Sequence, residues 1–214
     1  MRFYSTIFLS LLLVAVGFSS HAQNAVSEFV VEYKVTGNNP SVNKTEGDYL
    51  SYGFKGSKMH MSLINKMVDL KMVYDNEAGA GLLLNSMKMG SINMAVELKA
   101  ENLAYEKEEI VLTPLKGTKR IAGYKCQRLS ISTPEKVIEV WYTPKLKPQD
   151  FEFEGYYFSE LEGFPLMIVE TSPNGVLTST ATKVLTKNVE DNLFDTTIPE
   201  GYTITPFEKI NGKK

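Results

Sequence analysis

Residues Tyr49 to Tyr74 read YLSYGFKGSKMHMSLINKMVDLKMVY, and apolar side chains recur in this stretch at alternate positions. The clearest runs are Met59, Met61 and Leu63, then Val68, Leu70 and Met72. A period of two is typical of a β-strand with one buried face. Gly56 and Ser57 divide the stretch where a turn is expected. The segment therefore predicts neighbouring strands that present a methionine-rich apolar face.

The same period continues on both sides of this stretch. Phe29 to Val35 alternates, and four more segments have strand character: Gly123–Ile131, Val137–Thr143, Phe164–Thr171 and Val176–Lys187. Pro173-Asn174-Gly175 separates the last two and predicts a hairpin, because Asn and Gly tolerate the left-handed backbone that tight turns require. We predict a mainly β fold of eight to ten antiparallel strands, with a strongly curved antiparallel sheet or half-open barrel.

One stretch departs from the strand pattern. Ala95 to Glu109 (AVELKAENLAYEKEE) is rich in good helix formers, and it predicts a short helix. The expected fold is therefore mainly β with minor α, containing one or two short helices.

The N-terminus predicts export. Arg2 precedes an apolar run from Ile7 to Val16, and Ser20-His21-Ala22 offers the small side chains that a signal peptidase recognises. The run is shorter than the roughly 20 residues that a membrane-spanning helix needs. We predict a signal peptide over residues 1–22, cleaved after Ala22, a single domain over residues 23–214, and a periplasmic or secreted location.

Composition excludes several classes of function. The net charge of −2 provides no dense basic face for nucleic acid and no polybasic signal for an anionic membrane. Cys126 is the only cysteine and His60 the only histidine after cleavage, too few for a zinc site of His and Cys ligands. A lone cysteine is more typical of a small buried side chain. Phosphate-loop, dinucleotide and nucleophile-elbow motifs are absent from the sequence. We expect a protein that is not an enzyme and needs no cofactor.

Methionine is concentrated in one region, since seven of the nine methionines lie between Met59 and Met94. Flexible, polarisable thioethers suit pockets that accept variable apolar ligands. The hypothesis is a hollow for a lipid or other apolar ligand, lined by methionines of this region together with Leu63 and Trp141. The predicted lining is Met59, Met61, Leu63, Met72, Met89, Met94 and Trp141. Ordinary core packing with methionine as a gap filler explains the same pattern, because apolar faces usually pack against something.

An aromatic segment lies between Pro148 and Pro165. Its sequence from Phe151 is FEFEGYYF, and aromatic side chains in a connecting loop are less expected than in a strand. We interpret the segment as a flap over the hollow or as a loop pinned to the core. The flap residues are Phe151, Phe153, Tyr156, Tyr157 and Phe158.

Two other hypotheses remain open. The first is an interaction module for an envelope protein partner, with the interior filled by its own side chains. The second is periplasmic Cu(I) binding by Met59, His60 and Met61, because thioethers prefer soft Cu(I). In a strand, however, His60 points away from the two methionines.

Motifs in the second half of the chain follow one another in order: Thr118–Cys126 (TKRIAGYKC), Glu139–Pro144 (EVWYTP), Glu162–Leu166 (EGFPL), Asn192–Phe194 (NLF) and Ile198–Tyr202 (IPEGY). This succession resembles an uncharacterised family of secreted proteins of Bacteroidetes-type bacteria, which is itself similar to the lipoprotein-carrier superfamily. The resemblance covers Gly117 to Tyr202. It implies a half-open curved sheet with an apolar hollow, and it implies no catalytic residues.

Overall fold

The computed structural model describes residues 25–37, 48–90, 92–103, 110–134, 136–149, 160–172 and 175–210. The strands are β1 (Phe29–Gly37), β2 (Asp48–Lys55), β3 (Lys58–Ile64), β4 (Val68–Asp75), β5 (Ala80–Met87), β6 (Ile92–Lys99), β7 (Val111–Ile121), β8 (Tyr124–Ser132), β9 (Val137–Thr143), β10 (Phe164–Ser172), β11 (Gly175–Leu185) and β12 (Thr203–Ile204). The helices are α1 (Ala100–Leu103), α2 (Phe207–Ile210) and a 3-10 helix (Asp191–Phe194).

All twelve described strands form one curved sheet that does not close into a barrel. The strand order is β12-β6-β5-β4-β3-β2-β1-β11-β10-β9-β8-β7, so nearly every strand pairs with its neighbour in sequence. Each of these pairs is antiparallel, except that the short β12 runs parallel to β6. The predicted fold, mainly β with a strongly curved antiparallel sheet and two short α-helices, is confirmed.

The register aligns side chains of β1 to β6 in three transverse rows on the inner face, which carries the main core. Row 1 is Phe29, Phe54, Met59, Tyr74, Gly81 and Leu98. Row 2 is Val31, Tyr52, Met61, Met72, Leu83 and Val96. Row 3 is Tyr33, Leu50, Leu63, Leu70, Asn85 and Met94. Because alternate residues of a strand face opposite sides, the residues between the rows lie on the outer face.

The C-terminal segment covers this outer face. Val189 and Phe194 pack on Val30 and Val73. The segment then contributes Ile198 and Tyr202 to a cluster that contains Leu82, Leu84 and Ala95. On the way, Lys55 Nζ donates to the carbonyl oxygen of Val189 at 3.0 Å and pairs with Asp191 at 2.8 Å. The segment ends by adding β12 to the edge of the sheet.

The hairpin predicted at residues 173–175 is confirmed by strand pairing. β10 and β11 pair antiparallel, with Ser172 opposite Gly175. A second hairpin joins β4 and β5, which pair from Val68 opposite Met87 to Asp75 opposite Ala80. There the Asp75 carboxylate accepts hydrogen bonds from the backbone N–H groups of Glu77 and Ala78 and from the Ser57 hydroxyl. These bonds hold the pKa of Asp75 below its usual value, against the opposing effect of burial.

The helix predicted over Ala95 to Glu109 is wrong in its first part. Ala95 to Lys99 belong to β6, and α1 is a single turn over Ala100–Leu103; residues 104–109 lie outside the described residues. Pairing of β6 with β5 buries Ala95, Val96 and Leu98, and this tertiary burial outweighs local helix propensity. The strand count is also higher than the predicted eight to ten, partly because β12 has only two residues.

Candidate functional site

The inner face is packed closed at one end of the sheet. Phe29 lies 5.1 Å from Phe54 and 5.0 Å from Phe164 between ring centroids, and Phe54 lies 5.2 Å from Phe164. These are favourable tilted and edge-to-face separations. Every side chain of row 1 is at most 4% exposed apart from Gly81, which has none. We call this end, which holds row 1, the closed end.

Burial decreases along the strands from the closed end. In row 2, Met72 and Tyr52 are both 6% exposed, whereas Met61 and Leu83 are only half-buried. In row 3, the five residues from β2 to β6 are all half-buried. One step further, Met87 and Ile92 are 40% and 50% exposed. Within the described residues, side chains are therefore packed more densely at the closed end than at the opposite end, which we call the open end.

Row 3 offers an apolar strip across five adjacent strands. Leu50, Leu63, Leu70, Asn85 and Met94 are cross-strand partners in succession. With strands about 4.8 Å apart, the strip is roughly 19 Å long. Four of its five side chains are apolar, and none is charged. This composition suits an elongated apolar molecule.

Asn85 is the one polar side chain of the strip. Its Oδ1 atom is buried and has no hydrogen-bond partner within the described residues. Its neighbours in the row, Leu70 and Met94, have only apolar side chains to offer. An unpaired buried acceptor costs about 1–3 kcal/mol. The arrangement thus leaves one unpaired acceptor shielded within the apolar strip.

The predicted lining residues occupy different depths. Leu63 and Met94 lie in row 3, and Met61 lies in row 2. Met59 lies in row 1 and Met72 in row 2, at 1% and 6% exposure. Met89 lies in the β5–β6 turn and is 75% exposed. The five flap residues Phe151, Phe153, Tyr156, Tyr157 and Phe158 lie outside the described residues.

Trp141 on β9 packs against the edge of the main core and joins a polar network with β8. Its indole N–H donates to Glu139 Oε1 at 2.9 Å, and Arg128 forms two hydrogen bonds of 2.8 and 2.6 Å with the same carboxylate. Arg128 and Lys119 also lie over the indole ring, at 5.5 and 5.9 Å from its centroid. The Arg128 hydrogen bond holds the pKa of Glu139 below its usual value. This network restrains the orientation of the Trp141 ring.

His60 lies on the outer face, opposite Met59 and Met61. Its ring packs edge-on against Phe194, with 6.5 Å between centroids, and only 5% of the residue is exposed. Burial lowers the pKa of His60 to about 4, and the positive charge of Lys71 adds to the effect. The three side chains of the Cu(I) hypothesis therefore do not converge. In the described part of the chain, no three His, Cys, Asp or Glu side chains are grouped to hold a metal ion.

Several site residues are missing from the sequence hypothesis. Leu50, Leu70 and Asn85 complete row 3, but the lining predicted from the sequence contains only methionines, Leu63 and Trp141. The alternation in Tyr49–Phe54 and Val68–Met72 contained the signal for Leu50 and Leu70. Asn85 follows the run Leu82-Leu83-Leu84, and only its position opposite Leu70 reveals that it faces the apolar side.

Among the described helices, none has the length and hydropathy needed to cross a membrane.

Comparisons with known proteins reveal likeness only among solved structures, since no family model and no curated protein matches the chain. PNGF-II in its P21 crystal form has a TM-score of 0.49 and 18% identity, with 87% of this chain covered. MucB has a TM-score of 0.45 and 11% identity, covering 83% of this chain and 59% of MucB. A β-barrel-like protein of the domain of unknown function DUF1849 from Brucella abortus has a TM-score of 0.43 and 7% identity, covering 75% of this chain and 98% of its own. The chain spans about a third (32%) of the PNGF-II chain. Identities and TM-scores this low do not assign the chain to a family or to a function.

Proposed function

We propose that the protein binds an apolar ligand with a single acyl chain along row 3, and that it does so without catalysing a reaction. The observation that carries this proposal is the half-buried apolar strip from Leu50 to Met94 beside a closed, aromatic-filled end. The closed end fixes the depth to which a ligand can enter. Burial of an acyl chain contributes about 0.8 kcal/mol per methylene group.

The ligand's polar group follows from the charges near the strip. Asn85 supplies an unpaired acceptor, which a hydroxyl or amide N–H matches and an ester lacking donors does not. Asp48 begins β2 on the inner face, two residues from Leu50, and burial raises its pKa although Lys66 acts in the opposite direction. A carboxylate at this position disfavours an anionic head group. We therefore propose a neutral acyl ligand with a hydrogen-bond donor.

Two ligands of equal chain length test this proposal: monolaurin, which has hydroxyl donors, and methyl laurate, which has none. Each is titrated against protein loaded with the apolar fluorophore N-phenyl-1-naphthylamine. Satisfying the Asn85 acceptor should favour monolaurin by roughly tenfold or more. Asn85→Leu should bind both ligands with similar affinity. If neither ligand displaces the fluorophore, the proposal is wrong.

A blocking variant locates the site. Leu63→Trp fills the middle of row 3 and should abolish displacement by both ligands. Ile64→Trp is the matched control, because Ile64 is the next residue on β3, is 40% exposed and faces the other side of the strand. Equal loss of binding in the two variants would place the ligand elsewhere. If Asn85→Leu still prefers monolaurin to methyl laurate, Asn85 does not recognise the hydroxyl group.

The proposal includes export, because the predicted signal peptide would deliver the protein to the bacterial envelope. Residues 1–24 lie outside the described residues. Expression of the full chain in a bacterial host, followed by intact-mass measurement of the periplasmic fraction, should reveal a protein that begins at Gln23. Native mass spectrometry of the same fraction should detect a bound acyl ligand.

A further inference from the structure

Exposed apolar side chains are concentrated at the open end of the sheet. Of the 13 large hydrophobic side chains that are exposed within the described residues, nine lie at this end, so their distribution is not the usual scatter. The nine are Ile64, Met67, Met87, Met89, Ile92, Val111, Leu112, Val137 and Leu177. We call this set the apolar rim.

Two adjacent turns carry the most exposed members of the rim. Met67 lies in the β3–β4 turn and is 65% exposed, and Met89 lies in the β5–β6 turn and is 75% exposed. The backbone N–H of Lys88 donates to the carbonyl oxygen of Met67 at 2.9 Å. Lys88 Nζ also donates to the carbonyl oxygen of Asn65 at 2.7 Å. These bonds hold the two turns side by side.

The β3–β4 turn is further fixed from within. Asn65 Oδ1 accepts hydrogen bonds of 2.8 Å from the backbone N–H groups of both Met67 and Val68. This Asx-type arrangement replaces a backbone turn bond and restricts the local conformation. Met67 is therefore presented to solvent by an ordered turn.

Charges around the two turns balance. Lys88 pairs with Asp69 at 2.8 Å, and Lys66 acts on the nearby carboxyl of Asp48. Two cations thus face two carboxylates. Attraction to an anionic surface would be weak under these conditions, and the apolar side chains are the dominant feature of the rim.

We propose that the apolar rim docks on a lipid bilayer by inserting Met67 and Met89 below the head groups. Flexible thioethers on protruding turns suit a deformable surface that has no fixed shape. The rim members stand on separate strand ends around row 3, whereas a protein partner of fixed shape would favour one continuous, complementary patch. Insertion driven by apolar burial does not require lipid charge.

This inference extends the proposed function, because the rim surrounds the end at which row 3 is accessible. Docking there would place the proposed acyl site next to a membrane that contains acyl chains. Docking and ligand binding are nevertheless separate measurements. A protein that does not bind vesicles can still bind monolaurin. Conversely, the Leu63→Trp variant can still bind vesicles although it no longer binds monolaurin.

Vesicle flotation tests the inference with two lipid compositions: phosphatidylcholine alone, and phosphatidylcholine mixed with phosphatidylglycerol. The protein should float with both, with similar affinity and little dependence on salt. The double variant Met67→Ser with Met89→Ser should bind roughly tenfold more weakly, because two apolar side chains no longer insert. The matched control is Ile204→Ser with Ile210→Ser, which removes side chains of 62% and 40% exposure away from the rim.

Three results would overturn the inference. One is failure of the protein to float with either vesicle type. Another is equal flotation of the double variant and its control. The third is binding only to vesicles that contain phosphatidylglycerol, with loss at high salt, because that result would mean electrostatic attachment. Circular dichroism and unfolding curves of both double variants establish that each is folded.

Discussion

The hydroxyl of Tyr33 on β1 donates a hydrogen bond of 2.5 Å to the carbonyl oxygen of Pro165 on β10. β11 lies between these two strands, and the residue opposite Tyr33 on β11 is the small Ala181. The tyrosine side chain therefore reaches over β11. Pro165 lies where the β9–β10 register shifts, so the ladder is interrupted next to the acceptor. This bond joins the methionine-rich half of the sheet to the half that contains Trp141.

Tyr33→Phe should destabilise the fold by about 1–2 kcal/mol, because the buried Pro165 carbonyl oxygen loses its partner. Tyr33 is only 1% exposed, and burial raises its pKa well above the usual value, so water does not readily replace the hydroxyl. Urea unfolding measures the change. Tyr124→Phe is the control, since the Tyr124 hydroxyl forms no hydrogen bond within the described residues. Equal stability of the wild type and Tyr33→Phe would mean that the bond is not net stabilising.

Cys126 should be unreactive in the folded protein. It is fully buried, and burial raises the pKa of its thiol, which disfavours the reactive thiolate. Labelling with 5,5′-dithiobis(2-nitrobenzoic acid) should proceed only at the rate at which the protein unfolds, and it should accelerate with urea. Thr118→Cys adds an exposed thiol as a positive control. Rapid labelling of the wild type in buffer would show that the core around Cys126 opens locally.

The strands were predictable because their signal is local. Alternation in Tyr49–Tyr74 depends only on which side chains face the core, and the structure buries the expected face. The hairpin at Gly175 was predictable for the same reason, since its turn chemistry is contained in three residues. Ala95 to Lys99 was mispredicted because its helix propensity is local, while the pairing with β5 that outweighs it is not.

The site was only partly predictable because depth along a strand is not encoded in alternation. Met59, Met61 and Leu63 look equivalent in the sequence, yet they fall in rows 1, 2 and 3 and differ in burial. Their depth is set by Phe29 and Phe164, which come from distant segments and fill the closed end. No local pattern around Met59 contains that information.

Stability should fall below neutral pH because of His60. Its pKa of about 4 in the folded state lies below the unfolded value of 6.5, so the unfolded state binds more protons between these values. The protein loses no stability through His60 above pH 6.5, and the loss grows as the pH falls towards 4. A shift of this size corresponds to roughly 3 kcal/mol.

His60→Phe should remove most of this dependence, because it keeps an aromatic ring against Phe194 without a titratable group. The free energy of unfolding, measured with urea at pH 7, 5.5 and 4, gives the slope for both proteins. Parallel slopes for the wild type and the variant would mean that other groups cause the acid sensitivity.

Gly81 and Gly53 should respond oppositely to the same substitution. A Cβ atom at Gly81 would lie 2.2 Å from the backbone oxygen of Val73 and 2.8 Å from the ring of Tyr74, its partner in row 1. At Gly53, the nearest atoms would be Val30 and His60 side-chain carbons at 3.5 and 3.7 Å, which are ordinary contacts. Gly81→Ala therefore requires the β4 backbone to move, whereas Gly53→Ala does not.

We expect Gly81→Ala to destabilise the protein by at least about 2 kcal/mol, within the range for overpacked cores. Gly53→Ala should be near neutral or slightly stabilising, because alanine restricts the unfolded chain more than glycine does. Thermal and urea unfolding of both variants measure the difference. Row 1 closes the inner face only if Tyr74 can lie flat across Gly81. If both substitutions are tolerated equally, the closed end has room to adjust. It would then not fix how deeply a ligand can enter.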